Sequence, residues 1–167
     1  WTGWLGYTWS KTDRLFADLN NGNPFPARYD RRHDLSAILE WTIDDRWKLG
    51  STFIYGTGNA ITVPSQRYFV DGNLLDVYGP RNGFRMPAYH RADIGATHTP
   101  RAKEKNQKRK ERYGQWVFSV YNVYNRLNPY FIYFGNEGAI EEGTLDIQAY
   151  QISLFPILPS VTWNFKF

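Results

Sequence analysis

The sequence predicts an all-β fold: an antiparallel sheet whose strands cross a membrane. Three observations carry that expectation. The last eight residues, Ser160 to Phe167, place Val161, Trp163, Phe165 and Phe167 on one side of an extended strand and Thr162, Asn164 and Lys166 on the other. Aromatic residues make up 18% of a chain whose mean hydropathy is −0.57. Many aromatics in a chain that is polar on average suit aromatic girdles around a wet interior. Helical periodicity is weak throughout, and no apolar run reaches the roughly eighteen residues that a membrane-crossing helix needs.

At 167 residues the chain is long enough for one domain with a core. It has no cysteine, which excludes disulfides, thiolate metal sites and a catalytic thiol. The net charge of +4 is mild. The chain opens on strand-like sequence, without an initiator Met, a basic leader or a signal peptide. It is therefore expected to be an internal or C-terminal piece of something longer.

Taken in order, residues 1–13 alternate as a first strand, with Leu5, Tyr7 and Trp9 opposite Gly6, Thr8 and Ser10. Residues 14–29 form a loop, because Asn20-Asn21-Gly22-Asn23-Pro24 and Pro26 break regular structure. Residues 30–43 return as a second strand, with Leu35, Ala37, Leu39, Trp41 and Ile43 facing out. Asp44-Asp45-Arg46 makes a tight turn into a third strand over 47–57, and Trp41 and Trp47 flank that turn as interface aromatics do. Residues 58–87 form a long connection containing Pro64, Pro80 and Pro87. A fourth strand over 88–99 turns Arg91, Asp93, Gly95 and Thr97 to the lumen and Ala92, Ile94 and Ala96 to lipid. Residues 100–113 are a basic turn. The fifth strand starts near Gly114 and reaches toward Phe134, bent at Asn128-Pro129. An acidic loop over 135–144 precedes a final strand over 145–167, in which Pro156 and Pro159 mark irregular or unpaired positions.

The result is six consecutive antiparallel strands with alternating short and long connections. Six strands enclose too little volume to close alone, since about eight is the membrane-barrel minimum. Lipid does not tolerate open sheet edges, so the missing neighbours are expected from preceding sequence.

Four stretches resemble TonB-dependent outer-membrane receptors of the Bacteroidetes type: Phe25 to Ser36 (FPARYDRRHDLS), Arg85 to Gly95 (RMPAYHRADIG), Val120 to Tyr130 (VYNVYNRLNPY) and Leu154 to Val161 (LFPILPSV). The resemblance spans nearly the whole chain in the right order. It implies a barrel of about twenty-two strands closed by an N-terminal plug, of which these residues form the last six strands. It also implies the outer membrane of a Gram-negative bacterium, and uptake of an oligosaccharide, peptide, siderophore or similar nutrient. Implied partners are outer-membrane lipid and lipopolysaccharide, the preceding strands and plug, TonB through that plug, and a surface lipoprotein. The barrel-assembly machinery would read Trp163, Phe165 and Phe167. Plug, signal peptide, accessory domain and TonB-engaging box do not occur in these residues. The external loops would be 14–29, 58–87 and 135–144, with Tyr29, Arg31, Arg32, Tyr68, Phe69, Tyr78 and Arg81 as ligand contacts.

Other constellations point less far. Asp30-Arg31-Arg32-His33-Asp34 suits either an anionic ligand, lipopolysaccharide phosphates included, or an ion-pair network closing the barrel rim, and the network is the stronger expectation. His33, His90 and His98 lack ligand spacing, with His90 and His98 about 26 Å apart on a regular strand, so no metal centre is expected. The run of Arg101, Lys103, Lys105, Lys108, Arg109, Lys110 and Arg112 resembles a nucleic-acid patch but reads better as a solvated turn. Glu137, Glu141, Glu142 and Asp146 lack calcium-loop spacing. No catalytic constellation and no cofactor motif is present, so no enzyme is expected. Two rivals remain: a soluble β-sandwich that binds carbohydrate, and a passive porin-like barrel. Burial of Leu39, Phe53, Phe118 and Trp163 against a second layer would favour the sandwich.

Overall fold

A computed structural model describes residues 1–71, 73–100, 113–138 and 146–166. The described residues hold fourteen strands and no α-helix. In chain order they are β1 (Thr2–Trp9), β2 (Asp13–Arg14), β3 (Phe25–Pro26), β4 (His33–Thr42), β5 (Trp47–Gly56), β6 (Ala60–Ile61) and β7 (Pro64–Val70). There follow β8 (Asn73–Tyr78), β9 (Phe84–Arg85), β10 (Tyr89–His98), β11 (Tyr113–Tyr121), β12 (Pro129–Glu137), β13 (Asp146–Ser153) and β14 (Leu158–Lys166). The all-β expectation holds. A six-stranded sheet runs in the order β1-β4-β5-β10-β11-β14, and every other sheet is a two-stranded ribbon. The large sheet is open, with β1 and β14 at its edges; the described residues make no closed barrel.

Two compact units divide the chain: Trp1–Gly6, Ser36–Ile54 and His90–Phe167 in one, and Tyr7–Leu35 with Tyr55–Tyr89 in the other. In the first unit the alternation read from sequence becomes cross-strand rows. Ile94 faces Val120, which faces Pro159; Ala96 faces Phe118 and then Val161; His98 faces Trp116 and then Trp163. The intervening rows are Gly95, Ser119 and Ser160, then Thr97, Val117 and Thr162. Directly opposed residues share a face, so one face is apolar and the other largely polar and small. Pro159 lies inside β14, an edge strand of this sheet, the setting in which strands tolerate proline.

The β4–β5 turn closes as its sequence suggests. The Asp44 carboxylate accepts the amides of Arg46 (2.7 Å) and Trp47 (2.8 Å). Those two bonds, the larger cause, hold its carboxyl below the ordinary carboxylate range.

The first strand ends at Trp9 rather than at residue 13, and two later strands are also shorter than the alternation suggests. The fifth breaks after Tyr121 rather than bending at Asn128-Pro129, and the final one breaks at residues 154–157. Their outer halves, β12 and β13, leave the large sheet and pair with each other. Asparagines make this joint. Asn122 and Asn125 adopt the left-handed conformation, with φ of 54° and 53°. The fully buried Asn122 side chain accepts the Arg126 amide (3.0 Å) and donates to the carbonyls of Arg126 (2.9 Å) and Phe155 (3.2 Å). Asn125 accepts the Ile157 amide (2.9 Å), and Asn128 both accepts from and donates to the His90 backbone (3.0 and 2.9 Å). Asparagine tolerates that conformation and can replace lost ladder bonds, so both strands break beside each other.

The second unit is built from the connections. Residues 58–87, expected as one long connection, contain the ribbon β7–β8 and the short pair β6–β9. Their core is small: Phe25, Ala27, Ala60 and Met86 are the buried hydrophobics among the described residues. Gly58 lies against the Met86 backbone, where a Cβ would collide with the carbonyl.

Candidate functional site

The large sheet offers a surface rather than a cleft. Of the residues that test the sandwich alternative, Phe53 on β5 is half-buried, whereas on the apolar face Leu39 is 44% exposed, Phe118 41% and Trp163 53%, with Val161 at 62% beside them. No described layer covers them, and contiguous apolar area of this kind marks an interface. A shallow groove of about 570 Å³ follows the same face, lined by Leu39, Leu49, Ile94, Phe118, Val120 and Val161 among others. Aromatics gather at one end of it. Trp1 stacks on Trp41 (4.7 Å between ring centres) and Trp116 on Trp163 (5.7 Å), while Trp47 meets His98 (4.4 Å) and Phe165 meets Trp163 (4.9 Å) with tilted rings. His98, Trp116 and Trp163 occupy one row, so these rings form a belt across adjacent strands. Trp163 and Phe165 project from the edge strand β14, while Phe167 lies outside the described residues.

The polar face carries its own network. Arg91 bonds Asp93 through Nε (3.0 Å) and lies 3.9 Å over the Tyr121 ring, and Asp93 accepts the Asn122 amide (2.8 Å). Each of these polar groups therefore has an internal partner.

In the second unit Asp30, the first residue of the charged stretch 30–34, is a buried keystone. Asp30 is 1% exposed. One carboxylate oxygen accepts the Thr12 amide (2.6 Å); the other accepts Arg32 Nε (2.9 Å) and Arg85 Nη2 (2.8 Å). Arg85 also bonds the carbonyls of Asp30 and Gly58, the latter at 2.9 Å. Burial pushes the Asp30 carboxyl up, but these hydrogen bonds outweigh it and hold the group below the ordinary range. Arg31 pairs with Asp34 (3.5 Å), and His33 Nδ1 meets the Tyr7 hydroxyl (2.8 Å).

The expected ligand contacts therefore separate. Arg31 and Arg32 are engaged in intramolecular ion pairs. Tyr29 is 71% exposed, beside the Arg28 guanidinium. Tyr68, Phe69 and Tyr78 share the β7–β8 ribbon with exposed rings, and Arg81 lies 5.8 Å over the ring of buried Phe25. Asp30 belongs to the charged stretch that the sequence flags, whereas its partner Arg85, 55 residues away, carries no such signal. The three histidines lie apart, each with its own ring neighbour: Tyr7, Tyr124 and Trp47. Among the described residues no three acidic or histidine side chains could share a metal ion. The basic stretch 101–112, and Glu141 and Glu142, lie outside the described residues.

Comparison with protein-family models, curated proteins and solved structures returns no match.

Proposed function

We propose that this chain is the C-terminal wall of a plugged outer-membrane β-barrel, a TonB-dependent receptor that imports an oligosaccharide, peptide or siderophore-like nutrient. The observation that carries this reading is the uncovered apolar face of the six-stranded sheet, with its belt of Trp residues and its polar opposite face. Lipid covers the apolar rows, and water or the plug meets the polar rows. The free edges of β1 and β14 pair with the preceding strands of a barrel of about twenty-two. Ligand engages the long connections and the plug apex, and TonB draws on the plug to open the path. Trp163, Phe165 and Phe167 present an edge to the barrel-assembly machinery by strand addition.

A soluble carbohydrate-binding sandwich would need a second sheet over Leu39, Phe118 and Trp163, and these are exposed. A passive porin-like barrel shares the wall and differs in energy coupling. Carbonate extraction of cell membranes and uptake assays separate the three. The receptor stays with the outer membrane and loses concentrative uptake when the proton-motive force is dissipated. A porin keeps its flux, and a soluble module leaves with the carbonate supernatant; either result overturns the proposal.

A further inference from the structure

The β12–β13 ribbon differs chemically from the rest of the chain. Between Leu127 and Phe165 there is no Lys or Arg, although the chain as a whole carries +4. Its register sets Phe131 opposite Ile152, Tyr133 opposite Tyr150 and Glu137 opposite Asp146. Even spacing puts these pairs on one face. Tyr133 and Tyr150 stack with ring centres 5.2 Å apart and planes 19° from parallel. Gly135 leaves the ground beneath them bare, since a Cβ there would lie 2.8 Å from the Tyr150 ring. The Tyr150 hydroxyl donates to Glu137, and Gln148 donates to Asp146 (2.8 Å), so both carboxylates are held in place.

Two carboxylates directly opposed on a ribbon repel each other. Among the described residues neither has a cationic partner. The face therefore combines an aromatic floor, exposed at Phe131 and Tyr133 and half-buried at Tyr150, with negative charge at its end that no cation among the described residues answers.

We propose that this face docks a basic peptide, with a Lys or Arg head between Glu137 and Asp146 and its stem or a neighbouring side chain on the rings of Tyr133 and Tyr150. Charge complementarity selects this occupant. A bare divalent ion would answer the carboxylates and leave the rings uncovered; a neutral sugar would cover the rings and leave the charges opposed. A basic side chain does both, because its methylenes lie on aromatic faces while its cation reaches a carboxylate. The inference rests on the receptor reading and narrows the cargo to cationic peptides.

The test is calorimetric titration of the full chain, extracted from membranes in detergent, with four probes: acetyl-Phe-Arg-Lys-amide, acetyl-Phe-Gln-Gln-amide, maltotriose and calcium chloride. The basic peptide is expected to bind about tenfold more tightly than its neutral counterpart, the scale of an exposed ion pair plus a cation–π contact. The double variant Glu137→Gln, Asp146→Asn and the single variant Tyr133→Ala should each reduce that preference while keeping the wild-type circular dichroism. Equal binding of the neutral peptide, tighter binding of maltotriose or calcium, or no binding at all overturns the site. The carbonate extraction separates the two ideas. Membrane residence without peptide preference sinks the site alone; peptide preference in a soluble chain sinks the receptor reading alone.

Discussion

Replacing buried Asp30 by Asn should loosen the second unit. The carboxylate accepts three hydrogen bonds through two oxygens. An asparagine oxygen can keep the Thr12 amide, but its NH₂ then meets the Arg32 and Arg85 donors head-on. Two charge-assisted bonds are lost, each worth about 1.5–3 kcal/mol when buried. Both guanidiniums are about a third exposed, at 33% and 29%, so water replaces part of what they lose. The net cost is then about 2–4 kcal/mol. Hydrogen exchange reads it locally, at the amides of Thr12, Ala27, Ala60 and Met86, all bonded within this unit. Their protection should fall together, by about thirtyfold to a thousandfold for that cost. Acid should do the same to the wild type. The folded-state pKa of Asp30 is depressed, so its contribution is fully present above the ordinary value of 3.8 and is lost as pH falls from there through the lower folded value. Unchanged protection in Asp30→Asn would refute the keystone argument.

Three further outcomes are expected. Asn122→Ala loses three side-chain hydrogen bonds and puts a β-carbon residue without local compensation at φ 54°. It should lower stability by about 2–4 kcal/mol, seen as a lower thermal midpoint in detergent, with Asn122→Gly less damaging because its backbone relaxes. Phe118→Asp introduces a charge to the apolar face and Ser119→Asp, its neighbour, to the polar face. The first should cut recovery of folded protein from membranes severely, at a cost of about 1–3 kcal/mol or more, and the second should be near neutral. Tyr150, pushed up to about 12 chiefly by its hydrogen bond to Glu137, should titrate back toward 10.0 in Glu137→Gln, followed by ring-carbon NMR of labelled tyrosine.

The strands of the large sheet were legible because their pattern has period two and is not interrupted. The turn at Asp44 was legible because an acidic side chain followed by two bonded amides is a local device. The outer parts were not. In Tyr113–Glu137 the aromatic alternation continues beyond the break, so the hydrophobic pattern gives no warning. The signal lay in asparagines at 122, 125 and 128 ahead of Pro129, a spacing suited to turns rather than a bulge. Within residues 58–87, Asp71-Gly72 between two alternating runs was a hairpin signature that the surrounding prolines and glycines concealed. The charged stretch 30–34 was visible as a cluster. Its pairs Arg32–Asp30 and Arg31–Asp34 are local, but its further partner Arg85 is brought in by chain folding, and no local pattern encodes that.

In the proposed barrel, alternate residues of the large sheet meet hydrocarbon and water. The chain has no cysteine, so single cysteines can be placed and spin-labelled one at a time along residues 117–120 and 160–164 in the membrane-embedded protein. Collision rates with oxygen, which concentrates in lipid, and with a water-soluble nickel chelate should oscillate in antiphase with a period of two. Oxygen should peak at positions 118, 120, 161 and 163. Low access to both reagents at those four positions, as inside a soluble sandwich, would contradict the account.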